Sequence, residues 1–364
     1  MAPIQVDSAV EKDDLFIPKL TNIQLIDFSQ YTSPAATPAA REATAQSLLA
    51  GFQRAGFVYL KNHGIAAGTV AAVFARSARF FARPQPQKDA LAWYSPRANR
   101  GYVAHGREKV TRADFGGDVG ELRKQVPDLK ESMEIGREGE EGCPNMWPPP
   151  AEGDEEARAF REVMEGFHEE CKGLHREVMR AVAVGMGLGE GWFDAFTARG
   201  DNTLRLLHYP EVEKKVFERE DGQVQVRAGE HSDYGSLTLL FQDDRGGLQV
   251  LSPKGTFVDA TPIPDTIVIN AGDLLERWAN DTIKSTKHRV VEPPPKPGQE
   301  SLDKYPARYS VAYFCNPDFD KVIEAIPGTY EEGKQKYPAV LSGDYLAKRL
   351  SETYGDLDKY ELKT

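Results

Sequence analysis

The chain has 364 residues, 40% of them hydrophobic and 28% charged, with a net charge of −11. That balance describes an ordinary soluble globular protein, and the negative charge argues against nucleic acid or an anionic membrane as partner. No apolar run reaches membrane-spanning length, residues 1–20 carry no secretory signal, and the three cysteines are odd in number and widely spaced, which points to a reducing, cytoplasmic setting rather than a disulfide framework.

Residues 1–20 are polar and read as an irregular arm. A short strand is expected at Ile23–Phe28, a helix over residues 40–54, and a strand over 56–60 that turns at Asn62-His63-Gly64. His63 is expected to bond backbone in that turn. Over residues 67–82, Val70, Val73, Phe74, Phe80 and Phe81 recur at helical spacing, so that stripe faces a core. Residues 94–150, rich in Gly, Pro and charge, read as long loops over a site mouth. A long helix follows over 155–189, with His168 and His175 flanking its buried stripe and Gly185 and Gly187 near its stop.

From Thr203 the pattern alternates with period two. Strands are expected at 204–209, 223–227, 237–242, 248–251, 267–270, 288–291 and 307–314. About eight short antiparallel strands fit a jelly roll, or double-stranded β-helix, whose mouth can hold a metal. A Pro-rich loop spans 292–298, and residues 335–358 read as a closing helical segment.

Chemistry-bearing residues concentrate between His231 and Ser310. His231-Ser232-Asp233 puts a histidine and a carboxylate two apart; on an extended strand both side chains share a face. His288 can return as a third ligand. Two histidines and one carboxylate suit a non-haem Fe(II) site with open positions. Arg308 and Ser310 repeat the two-residue offset and can grip a carboxylate together. Each feature alone has a plainer explanation, a polar turn or a surface pair; the joint order and spacing single out one reaction centre.

This stretch resembles the core of the Fe(II)- and 2-oxoglutarate-dependent dioxygenases of the isopenicillin N synthase-like family. The resemblance rests on His231-Ser-Asp-Tyr-Gly-Ser-Leu-Thr-Leu-Leu240, Gly247-Leu-Gln-Val-Leu251, Asn270-Ala-Gly-Asp-Leu-Leu275, Lys284-Ser-Thr-Lys-His-Arg-Val-Val291 and Arg308-Tyr-Ser310. Gly101-Tyr-Val103 and Asp128-Leu-Lys-Glu-Ser-Met133 resemble further family landmarks. It implies a mixed α and β fold with a jelly-roll core. It also implies iron on His231, Asp233 and His288, with 2-oxoglutarate held by Arg308, Ser310 and Tyr209, and O2 as the oxidant source. Succinate and CO2 would be released as a small organic substrate is hydroxylated, desaturated or cyclised. One departure is Leu207, where many relatives carry Asn two residues before the tyrosine.

The expected division is a helical and strand module over 1–200, the catalytic core over 201–320 and a helical segment over 321–364. Arg205 shares a strand face with Leu207 and Tyr209, so it points inward and needs a partner. That partner is either a structural carboxylate or an anionic group on the substrate. Phe314 and Tyr102 are the other substrate-binding candidates, and the favoured substrate is a small molecule with a carboxylate. Alternatives on the same iron are ethylene formation and ring closure without 2-oxoglutarate; a zinc hydrolase or a non-catalytic binding module ranks below them. A monomer is expected.

Overall fold

The computed structural model describes residues 23–107, 128–150, 155–217, 225–292 and 303–354. The expected N-terminal arm and nearly all of the Pro-rich loop lie outside these residues, as does part of the mouth-loop region.

Two sheets face one another. The larger has eight strands. Its order in space is Gln24–Asp27, Phe57–Lys61, Thr266–Ala271, Leu237–Gln242, Arg308–Cys315, Thr203–Tyr209, Glu131–Gly136 and Gly101–Val103. The smaller runs Phe257–Asp259, Leu248–Leu251, His288–Val290 and Ala228–His231. The pairings are antiparallel except that of Gln24–Asp27 with Phe57–Lys61. This is the jelly-roll core expected from the alternating pattern.

Alternation sorts the larger sheet's side chains. Leu204, Leu206, Leu237, Leu239, Phe241, Ile267, Ile269, Val311 and Tyr313 pack with residues of the Glu155–Gly185 helix in one core. Leu207, Tyr209, Val268 and Ala312 face the other way, into a second core with Leu248, Val250 and Val290 of the smaller sheet. The barrel-facing set is the functional one. Arg308 lies opposite Tyr209, Ser310 opposite Leu207 and Ala312 opposite Arg205, so the inward direction inferred for Arg205 is observed.

Strands on both sides of residue 200 build one sheet. The structure differs from the sequence reading in two places. Glu131–Gly136, expected within loops, is a wholly buried strand. Its charges hid it, and both are met: Glu131 accepts from Lys88 at 2.8 Å, and Glu134 pairs with Arg205. The strand expected at 223–227 lies at Ala228–His231 instead. The closing helix spans Ser342–Tyr354.

Candidate active site

His231 ends its strand, and His288 lies directly opposite it in the register. Their ring centroids are 4.3 Å apart. Asp233 lies beyond the strand end, in the turn after His231, so the shared-strand-face geometry expected for the pair is not what joins them. Hydrogen bonds place the carboxylate instead. Thr238 Oγ1 donates to Asp233 Oδ2 at 2.6 Å, and Asn270 Nδ2 donates to the same oxygen at 2.7 Å. The other oxygen, Oδ1, stands 3.9 Å from His231 Nε2 and 3.8 Å from His288 Nε2.

The two imidazoles are oriented from behind. His231 Nδ1 is 2.7 Å from the Gly229 carbonyl, and His288 Nδ1 is 3.2 Å from that of Thr286. Each carbonyl takes an Nδ1 proton and leaves Nε2 as the lone-pair donor toward Asp233. The ligand atoms of the three residues lie within 4.8 Å of one another. Burial, with His288 alongside, pulls His231 down to about 3, which keeps it in the neutral, metal-binding form at pH 7. Burial opposes ionisation of Asp233, but the two imidazoles and the Asn270 and Thr238 bonds outweigh it and hold the carboxyl below its usual value. A neutral His231, the Nε2 of His288 and a carboxylate anion fit Fe(II).

Further down the barrel, Arg308 is 1% exposed. Its Nε donates to the Gly246 carbonyl at 2.8 Å, Nη1 to Ser310 Oγ at 3.1 Å and Nη2 to Gln242 Oε1 at 3.3 Å. Its guanidinium stands 4.9 Å over the Tyr209 ring. Arg308, Ser310 and Tyr209 line one cavity together with His231, Asp233 and His288.

A second cavity opens outward from the same ligands. His231 and Asp233 form its floor, and Asn99, Tyr234, Phe314 and Leu346 are among its walls. Arg205 and Phe314 line both cavities, with the guanidinium 5.1 Å over the phenyl ring. Arg205 Nε meets Glu134 Oε1 at 2.6 Å, so the structural carboxylate is its partner. Of the two partners the sequence left open for Arg205, the structural carboxylate is the one present, so Arg205 no longer indicates the charge of the substrate. Tyr102 is a second correction. It is buried on the far face of the sheet, packs against Phe80 and donates to Glu131, because its place in the register directs it to the helix side.

His63 accepts the Ile65 amide at 3.3 Å as a turn residue. His175 is buried and bonds Ser236 Oγ at 3.3 Å, and His168 is buried beside Tyr313.

Sequence reasoning missed several contributors. Asn270 stood in a quoted motif, but its bond to Asp233 runs from its own strand to the segment that follows another. Lys130, buried and ion-paired with Asp128 at 2.8 Å, lines both cavities. Asp128 in turn accepts the Gly229 amide at 3.0 Å and so braces the His231 strand. The Ser342–Tyr354 helix contributes Leu346, Ala347, Leu350 and Thr353 to the outer cavity.

Residues 23–150 match a family model described as non-haem dioxygenase in morphine synthesis N-terminal. Residues 200–317 match that of the 2OG-Fe(II) oxygenase superfamily. The chain is 34% identical to the 2-oxoglutarate-Fe(II) type oxidoreductase ppzD of Metarhizium rileyi, with 92% of each chain covered. It is 33% identical to proline hydroxylase buaE of Petromyces alliaceus, with 91% of this chain and 99% of the relative covered. A full-length Neurospora crassa protein crystallised with alpha-KG and thymine is 54% identical, with a TM-score of 0.82 over 91% of this chain and 97% of that one. The Neurospora crassa protein has also been solved with alpha-KG and 5-formyluracil.

Proposed function

The chain belongs to the 2OG-Fe(II) oxygenase superfamily and is a 2-oxoglutarate-dependent dioxygenase, and we propose that its prime substrate is a pyrimidine base of the thymine kind. One observation carries the choice: Arg205 beside Phe314 is neutralised by Glu134. At this point the wall therefore offers an aromatic face and a polar edge whose cation is already paired, while Arg97 stands elsewhere on the cavity lining. An uncharged planar ring with carbonyl and N–H groups suits it better than a free carboxylate. The Neurospora crassa complexes with thymine and 5-formyluracil add support, because the two ligands differ only in the oxidation level of the carbon on ring position 5.

In this proposal His231 Nε2, Asp233 Oδ1 and His288 Nε2 hold the iron. Arg308 and Ser310 receive the far carboxylate of 2-oxoglutarate, with Tyr209 packed beside them. Bound there, iron and 2-oxoglutarate supply from O2 the oxidant for the substrate, with succinate and CO2 released. Thr238 and Asn270 aim the Asp233 carboxylate. Phe314 and Tyr234 bracket the ring, Arg205 addresses its polar edge, and the apolar side chains around Leu346 keep water from the opening. One chain supplies every residue named, so no second copy is required. A cytoplasmic, reducing setting is part of the proposal and is supported by Cys143, Cys171 and Cys315, which are all buried and free.

The test uses purified enzyme with Fe(II), ascorbate and 2-oxoglutarate. Thymine should stimulate succinate formation and gain one oxygen atom, whereas uracil, which lacks the methyl group, should do neither. Stimulation by proline with none by thymine would overturn the assignment.

A further inference from the structure

The Ser342–Tyr354 helix does more than wall the outer cavity, because its last turns are tied to two segments remote from each other in sequence. At the first, Thr353 Oγ1 shares a hydrogen bond of 2.6 Å with the Tyr234 hydroxyl. The Arg349 guanidinium stands 4.2 Å over the Tyr234 ring and is itself ion-paired with Asp273. Tyr345, one turn earlier, donates to the same carboxylate at 3.1 Å. The Asp273 amide donates to the Asp233 carbonyl at 2.8 Å, so this anchor reaches the backbone of the metal-site carboxylate. At the second, Tyr354 packs on Trp93 with ring centroids 4.3 Å apart. Trp93 Nε1 donates to Asn99 Oδ1 at 3.0 Å. Asn99 sits at φ 48°, in the left-handed region that asparagine visits more readily than other non-glycine residues.

Tyr234 and Asn99 both line the cavity. We infer that Arg349 and Tyr354, which do not line the cavity, are positioning residues for the prime substrate, and that Thr353, at the cavity edge, helps hold Tyr234, so that one helix sets the spacing of two recognition walls. This rests on the assignment of the outer cavity to the prime substrate. A stacked guanidinium and a shared hydroxyl bond restrict a tyrosine ring in both tilt and height, which a lone apolar contact would not do. Among the described residues, none from this helix lines the cavity of Arg308, Ser310 and Tyr209.

The experiment compares Arg349→Met, Thr353→Val and Tyr354→Leu with the wild type. Hydrogen exchange of the substrate-free protein reads the clamp whatever the substrate is. Arg349→Met and Thr353→Val should speed exchange across 232–236, and Tyr354→Leu across 97–103, each leaving 267–271 unchanged. In the second arm, Arg349→Met should weaken thymine binding about tenfold, within the range of a lost cation–π contact, with 2-oxoglutarate binding within about twofold of wild type. Arg349→Lys should restore part of the thymine affinity because it keeps the charge but not the flat stack. Unchanged exchange in both segments, a uniform rise across the whole protein, or equal losses for thymine and 2-oxoglutarate would overturn the inference. A wild type that ignores thymine would overturn the pyrimidine assignment instead, and the exchange measurements alone would then decide the clamp.

Discussion

Replacing Arg308 tests the co-substrate end most directly. Its Nε and Nη1 are committed to Gly246 and Ser310, so the plane of the guanidinium is fixed before any ligand arrives. At 1% exposure the site is desolvated, and a charge-assisted pair with a carboxylate there is worth roughly 2–4 kcal/mol. Each 1.4 kcal/mol is about tenfold, so Arg308→Ala should raise the apparent KM for 2-oxoglutarate on the order of 100-fold. The same change strips the Gly246 carbonyl of its donor, which costs about 1–3 kcal/mol of stability, so the melting temperature should fall as well. Arg308→Lys should recover only part of either loss, because an ammonium cannot reach Gly246, Ser310 and a carboxylate in one plane. The assay is succinate formation at varied 2-oxoglutarate and saturating prime substrate, paired with equilibrium binding of 2-oxoglutarate below the melting transition. An Arg308→Ala variant that is folded and binds 2-oxoglutarate like the wild type would refute the placement.

Asn270→Ala should lower iron affinity about 10–100-fold, as expected for loss of a supporting bond to a ligand, while Asp233→Ala should abolish turnover; iron content after dialysis against a chelator series checks both. Glu131 is held at about 2, because the bonds from His208, Lys88 and Tyr102 outweigh the burial that opposes its ionisation. A depressed carboxyl stabilises the fold above its unfolded value of 4.5 and loses that contribution as pH falls toward about 2. Glu131→Gln should therefore destabilise by on the order of 3 kcal/mol near neutral pH, with the gap to wild type closing on acidification between those two values; a gap that does not change with pH in urea titrations would count against the network. Gly235→Ala should destabilise the fold and weaken iron binding together, because the added methyl would stand 2.3 Å from the Cys315 carbonyl oxygen and must push aside the turn that carries Asp233; unchanged melting and iron content would show that the turn relaxes freely.

Much of the site was legible in the chain itself. Period-two alternation assigned Arg205, Leu207 and Tyr209 to one face, and the strand register bears that out. His231, Asp233 and His288 were expected from residue type and spacing, and the three-ligand cluster forms; Arg308 and Ser310 line the same cavity. Alternation says which way a side chain points, because the pleat fixes it locally. It does not say what stands across the gap. Glu134 meets Arg205 only because Glu131–Gly136 pairs with Thr203–Tyr209, and that strand looked like a loop because its charges find their partners in tertiary contacts. Asp233 reaches the histidines through Thr238 and Asn270 rather than through strand geometry, and Tyr102 turns away for reasons of register. The clamp of Tyr234 and Asn99 by the Ser342–Tyr354 helix joins segments that are remote in sequence. Chain order determined the chemistry available at each position, and tertiary packing decided which charges were neutralised and which walls faced each other, since a buried ion pair or a stacked ring depends on distances that no local pattern encodes.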